Sequence, residues 1–585
     1  MDRAIALPNR ASYLLKNARV PLGCMEGVDH PETFAVCVDR LALVDIEVRD
    51  GIVANIARAD DDLTRPQCRP LPFSLFGPTH IDLHGKMVLP TFSDLHTHID
   101  KGHTTERSRN PDGSLSGADR STAADAQFWD ADDVLRRMDF SVKCAYAHGT
   151  SAIRTHLINM TPKQTELTWP AFSKLREKWQ GRVDVQGVSL VVLSFFRDEE
   201  AARKLADIVA EHKGLLGAAV CCAERGGHPE DDWTTCEKDR DQLLDRIFTL
   251  AKERNLDIDF HTDENGNELA KGLRYVAQKT IKHGYQGRVV CGHCCSLAYQ
   301  LPDELEKTLS LAAEAGITVV SLPLVNQWTQ DRDHHGGRTP RWRGITLLHE
   351  AKAAGVPVAI ASDNTRDQFY AYGDLDMLEV FNQGCRMAHL DRPYGDWVQC
   401  VTSTPANAMG LNKQGRLFPG GGADFIIFRA RRYSELLSRP QLDRVVVREG
   451  KAIGAVVPDY CELDYVPEAI RRGDVPVFEV SKYGRAIGDA KAVVTSITRL
   501  GQSGMTETVG SQHSNGHVNG LGGLERWSGH VGTSNRSRHR NLVTRGGGGG
   551  GGAAMNNAGW LAVLAVLAAV CAVLASTYGS QLISL

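Results

Sequence analysis

Val88-Leu-Pro-Thr-Phe-Ser-Asp-Leu-His96-Thr-His98 is an apolar run that ends on two imidazoles two residues apart. Side chains on an extended strand alternate between faces, so both rings point the same way. One strand end therefore offers two nitrogens to one ion. His261, His293 and Asp363 stand at the ends of three further apolar runs. The five residues read together as a single-metal hydrolase site spread over most of the chain.

Outward from this stretch, strand-like runs fall at 87–92, 150–157, 183–193, 214–221, 256–262, 287–293, 316–322 and 356–362. Between them, 201–212, 241–254, 303–315 and 347–354 carry apolar residues at helical spacing. Eight alternating βα units predict a distorted (β/α)8 barrel over 87–410. Enzymes of this architecture place their chemistry at the carboxyl ends of the strands. The five residues lie at or just beyond such ends, on runs one, five, six and eight, so pattern and chemistry agree.

The flanks are of β character. Short strands are expected at 13–19 and 43–58, and again in Ala423-Asp-Phe-Ile-Ile-Phe428 and Arg444-Val-Val-Val-Arg-Glu-Gly450. Segments 12–86 and 411–460 are expected to join in one β-sandwich beside the barrel. Beyond residue 480 the composition shifts to Gly, Ser, His and Asn, including Gly546 to Gly552, which predicts a disordered linker over 480–555. The run 560–575 is apolar and uncharged. Within 558–578 it is expected to form a transmembrane tail anchor, at the short limit for a spanning helix. Arg536, Arg538, Arg540 and Arg545 on its near side would keep the enzyme facing the cytosol. A soluble cytoplasmic protein with a buried hydrophobic tail is the alternative.

Composition narrows the partners. The chain has 585 residues, 42% hydrophobic and 24% charged, enough for a large core and more than one ordinary domain. A net charge of −4 with no long basic block argues against nucleic acid, which needs clustered Lys and Arg. A small molecule is the expected partner, and a homo-oligomer is possible. No secretory signal opens the sequence, so the fourteen cysteines fit a reducing compartment. Cys291-Gly-His-Cys294 has dithiol spacing but lies midway through a long α/β series, and its His293 is the residue of interest.

Three histidines and one aspartate give N and O donors to a divalent ion, which suits Zn²⁺ or Fe²⁺ better than Mg²⁺ or Ca²⁺. Such an ion lowers the pKa of a bound water toward neutrality. Asp363 would hold that water and accept its proton. Glu264, three residues beyond His261, would carry a proton to a leaving nitrogen.

At this point the chain resembles the amidohydrolase superfamily, in its cytosine deaminase-like branch, from about residue 13 to 453. The resemblance rests on Leu95-His-Thr-His-Ile-Asp-Lys-Gly102, Arg154-Thr-His156, His261-Thr-Asp-Glu264, Gly292-His293, Pro323-Leu-Val-Asn326, Arg343-Gly-Ile-Thr346 and Ser362-Asp363-Asn364. It implies that His96, His98, His261 and Asp363 bind one metal ion. Glu264 would protonate the substrate ring, and His293 would steer the attacking water. Ala219-Val-Cys-Cys222 at the end of the fourth run offers no lysine for carbamylation, so one ion rather than two is implied. In bacterial cytosine deaminases a glutamine on the third strand reads the pyrimidine edge, and a second aspartate follows the catalytic one. Here Val192 and Asn364 stand at those places, with Phe369 positioned to cover an aromatic ring.

The expected reaction is hydrolytic deamination of cytosine or a cytosine-like cyclic amidine. An aminotriazine, a creatinine-like ring or a cyclic amide are alternative substrates, and a membrane-tethered scaffold without turnover is the alternative outside catalysis. Structural roles are weighed too: a rim ion pair for Glu264, a satisfied core histidine for His293, a core ring for Phe369. His156 is left out as a buried hydrogen-bonding group. His334 and His335 are read as solvated or as part of a lid.

Overall fold

The structure is a computed structural model. It describes Leu7 and residues 12–29, 39–59, 79–220, 239–333, 337–465 and 467–473. The expected linker and tail anchor, Cys222, His334 and His335 lie outside these residues. No helix among the described residues is long and apolar enough to cross a membrane.

Five strands come before the barrel: β1 (Tyr13–Pro21), β2 (Leu41–Arg49), β3 (Ile52–Arg58), β4 (Thr79–Asp82) and β5 (Val88–Pro90). The barrel strands are β6 (Phe92–Thr97), β7 (Thr150–Ile158), β8 (Asp184–Leu190), β9 (Leu216–Val220), β10 (Ile258–Thr262), β11 (Val289–His293), β12 (Thr318–Ser321) and β13 (Val358–Ile360). Strands β6 to β8 pair in parallel, as do β9 to β13. Two seams complete the ring. Between β8 and β9, Leu215 N donates to Gly187 O at 2.8 Å and Ala219 N to Val191 O at 2.8 Å. Between β13 and β6, Asp363 N donates to His96 O at 2.9 Å, and Ser362 N and Oγ both donate to Asp94. The second seam therefore passes through two of the expected site residues.

The strands form as buried parallel strands do, with apolar residues on both faces; β7, β9, β10 and β11 have no exposed position. Two of the helices between them show how their ends are set. Ala131–His148 begins on Asp130, whose side chain accepts from Asp133 N, and stops at Gly149 in the left-handed region, φ 98°. Pro162–Trp179 opens with a reciprocal Thr161/Gln164 capping box and Pro162 in its first turn.

Two further sheets flank the barrel, ordered β3-β2-β1-β4 and β16-β15-β14-β5, where β14 is Phe425–Ile427, β15 Val445–Arg448 and β16 Lys451–Ala452. They are joined through the main chain: Arg19 N on β1 donates to Lys86 O, just before β5, at 2.9 Å, and Val53 N on β3 to Gly421 O, before β14, at 2.9 Å. The first apolar run departs from expectation. It holds two strands, and Val88–Pro90 pairs antiparallel with β14 in the flanking sheet, while the barrel strand begins at Phe92 and includes His96. Both pieces are fully buried, so hydrophobicity alone gives no sign of the switch between sheets.

Candidate active site

His96 and Thr97 end β6, and His98 follows directly. His261 is the fourth residue of the five in β10, and Asp363 lies three residues past β13. Together they face one point at the carboxyl end of the barrel. His261 Nε2 lies 3.2 Å from His96 Nε2 and 3.1 Å from His98 Nε2. Asp363 Oδ1 is 3.2 Å from His98 Nε2 and 3.8 Å from His96 Nε2. Donors 2.0–2.1 Å from one tetrahedral ion stand about 3.3 Å apart, so these spacings fit a shared metal.

The electrostatics also fit a cation. Burial pushes the His96, His98 and His261 rings well below their ordinary pKa, and neighbouring histidines or Lys101 push them further. They are neutral imidazoles, the ligand form. Both Asp363 oxygens are buried without a hydrogen-bond partner, and burial raises its carboxyl to about 6. A buried carboxylate beside three lone pairs is costly alone and favourable around a divalent ion.

Local backbone serves this convergence. Asp363 is in the left-handed region at φ 64°, which aspartate tolerates better than most residues. Gly292 on β11 lets the His96 ring approach closely, because a Cβ there would stand 2.8 Å from His96 Cε1 and 2.9 Å from Nδ1.

His293 and Glu264 lie beside the ligand set. Asn326 Nδ2 donates to His293 Nδ1 at 3.0 Å and to Glu264 Oε1 at 3.4 Å. With Nδ1 accepting, the neutral ring carries its proton on Nε2, the nitrogen that has no protein partner. Burial lowers the His293 pKa to about 4. The Glu264 carboxyl is held well above the usual range, by burial first and then by the charges of Asp363 and Asp119. Its acid form therefore persists to higher pH than that of an ordinary glutamic acid.

These groups open onto a cavity of about 960 Å³. Val192, Asn364 and Phe369 all line it. Val192 forms an apolar wall with Ile158, Leu190 and Ala219. The Asn364 amide is turned to Asp367 Oδ2 at 2.7 Å. Cys291 and Cys294 are buried free thiols, and Cys294 Sγ lies against the Cys291 and Gly292 carbonyls.

Sequence reasoning missed three residues. His156 on β7 packs against two of these histidines, its ring centroid 4.0 Å from that of His96 in a tilted contact and 4.6 Å from that of His261 edge-on. Asn326, which positions both His293 and Glu264, was present in the Pro323-Leu-Val-Asn326 motif but given no role. Lys101 lines the cavity, three residues after His98. The spacing from the metal pair was its only signal.

A family model described as the amidohydrolase family matches residues 180–465. A pterin deaminase of Rhizobium rhizogenes is 44% identical over 460 residues, which span 78% of this chain and 98% of that protein. An N-isopropylammelide isopropyl amidohydrolase of Pseudomonas is 27% identical over 60% of this chain and 81% of its own length. Among solved structures, a 5-methylcytosine deaminase from Klebsiella pneumoniae matches with a TM-score of 0.60 at 20% identity, covering 76% of this chain and 98% of that one. At that identity the likeness concerns the fold.

Proposed function

The chain belongs to the amidohydrolase superfamily, and from that premise we propose that it is a metal-dependent hydrolase that deaminates an aminated heterocycle, with pterin the favoured ring. The observation that carries this reading is the convergence of His96, His98, His261 and Asp363, with 3.1–3.8 Å between His261 and each of the two histidines and between Asp363 and the same two, beside Glu264, whose carboxyl is held above its usual range. The ring preference moves from a cytosine-like monocycle to pterin on two grounds. The relative that matches over almost its whole length is a pterin deaminase. The cavity of about 960 Å³ also lies at the large end for small-molecule sites, with room for a bicycle.

A Zn²⁺ or Fe²⁺ ion held by the four residues would supply Lewis acidity and a water acidic enough to lose its proton near neutrality. Asp363 Oδ2 is placed to take that proton. His293 directs its Nε2 proton toward the attacking oxygen and fixes the face of attack. Glu264 donates its proton to the ring nitrogen next to the amino-bearing carbon, which makes that carbon electrophilic. The proton taken by Asp363 passes to the departing amino group and the hydroxyl proton of the tetrahedral carbon returns to Glu264, so that ammonia leaves, the amino carbon becomes a carbonyl and one water is consumed. The apolar wall of Val192, Leu190 and Ile158 excludes competing water from the ring edge. Phe369 offers a face for stacking.

Ammonia release from pterin, cytosine, 2-amino-1,3,5-triazines and creatinine tests this reading. Pterin should give the highest kcat/KM; release from none of them with metal-loaded protein contradicts it.

A further inference from the structure

The side chain at position 101 is a cation that is buried and yet lies on the cavity wall. Lys101 is 2% exposed. Its Nζ lies 3.0 Å from Asp367 Oδ2 and 3.8 Å above the centre of the Phe369 ring. An ammonium has three N–H donors and no acceptor. The carboxylate and the ring face account for two directions, and the cavity is the third.

The apolar lining of the cavity bears on what that donor is for. Ile158, Leu190, Val192 and Ala219 give no side-chain hydrogen-bonding group along one side of the cavity. Asn364 Nδ2, on the loop after β13, is bonded to the same Asp367. Of the polar side chains that line the cavity, Lys101 is a donor-only group three residues from His98 and held in place by Asp367 and Phe369, so a polar substituent on a ring bound beside the histidines meets a fixed donor there.

We propose that Lys101 reads an exocyclic carbonyl of the substrate, so that the site selects 2-amino-4-oxo fused pyrimidines over their 2,4-diamino counterparts. The inference rests on the deaminase reading above and adds the ring edge that is recognised. A donor-only group accepts nothing from an amino substituent, and a buried mismatch of this kind discriminates strongly. If Lys101 instead only ties the β6 loop to the β13 loop, its removal weakens the fold and slows both rings alike.

The test compares full-length, metal-loaded wild type with Lys101→Gln and Lys101→Met, using pterin and 2,4-diaminopteridine. Both kcat/KM from ammonia release and Kd from ligand fluorescence are measured. Wild type should favour the oxo ring at least about tenfold. Lys101→Met should lose about 10–100-fold on pterin, with little change on the diamino ring. Lys101→Gln, whose amide oxygen accepts, should gain on the diamino ring and narrow the ratio; it also carries the test if the methionine variant does not fold. An unchanged ratio in the variants overturns the proposal. If wild type releases ammonia from neither ring, the deaminase reading fails, and the Kd ratios alone decide: narrowing supports Lys101 as the reader, while equal ratios or no binding of either ring overturns it.

Discussion

Glu264 lines the cavity beside His293, and its carboxyl is held above the usual range. It is raised by burial and by two neighbouring carboxylates, so its acid form persists to higher pH than an ordinary glutamic acid. In the proposed mechanism it acts as the acid. kcat/KM should therefore hold on the acid side of that raised value and fall as pH rises through it. Glu264→Gln should remove this limb and cost about 10²–10⁴ in kcat/KM, with metal content unchanged. Turnover within tenfold of wild type in that variant would end the assignment. His156 makes a second residue-scale prediction. Its ring packs on His96 and His261, and neither nitrogen has a hydrogen-bond partner. His156→Ala should weaken metal affinity about 10–100-fold, as loss of ligand support does, measured by competition with a chelator; unaltered affinity would leave His156 a packing residue. The metal pair was legible in the sequence because two histidines on one strand face announce themselves. His156 was not, because a lone buried histidine beside Arg154 looks the same whether it supports a metal or the core. What separates the two is contact with β6 and β10, which no local spacing records.

At the scale of elements, approach distances between strands set the site. Gly292→Ala would push a methyl into the His96 ring, so about 1–3 kcal/mol of stability and part of the metal occupancy should be lost together. Loss of neither, in urea unfolding and metal analysis, would mean that β11 yields easily. The helix Leu115–Ala126, which contributes Asp119 and Thr122 to the cavity, is held by Arg107. Arg107 makes paired bonds of 2.9 and 3.0 Å to Asp125 and of 2.7 and 2.9 Å to Asp133. Arg107→Met leaves two buried carboxylates short of a partner and should cost about 3–5 kcal/mol, with KM rising as the cavity wall loosens. The four helices expected from sequence lie within a residue or two of their places, 201–212 against Glu199–Glu211 and 303–315 against Pro302–Glu314 among them, whereas Ala131–His148 and Pro162–Trp179 were not named. Helical spacing of apolar residues suffices there. It failed at Val88–Pro90, where a fully buried strand of one sheet runs straight into a fully buried strand of another.

For the molecule as a whole, the barrel gathers residues nearly three hundred positions apart in sequence. His96 and Asp363 meet because β6 and β13 close the ring, where Asp363 N donates to His96 O. All residues given a role lie between positions 96 and 369. A chain ending after residue 473 should therefore keep its kcat/KM; loss of turnover with an intact fold would bring the remaining C-terminal residues into the site. The reaction class was readable from sequence because the ligands recur in order along the strands. The ring was not, since it depends on cavity size and on Lys101, which becomes a wall residue only when the β13 loop folds against it. The account stands most directly on metal-dependent ammonia release. Metal-depleted protein titrated with Zn²⁺ or Fe²⁺ should recover deamination of pterin and saturate at one ion per chain, whereas activity indifferent to chelation and to added metal would contradict it.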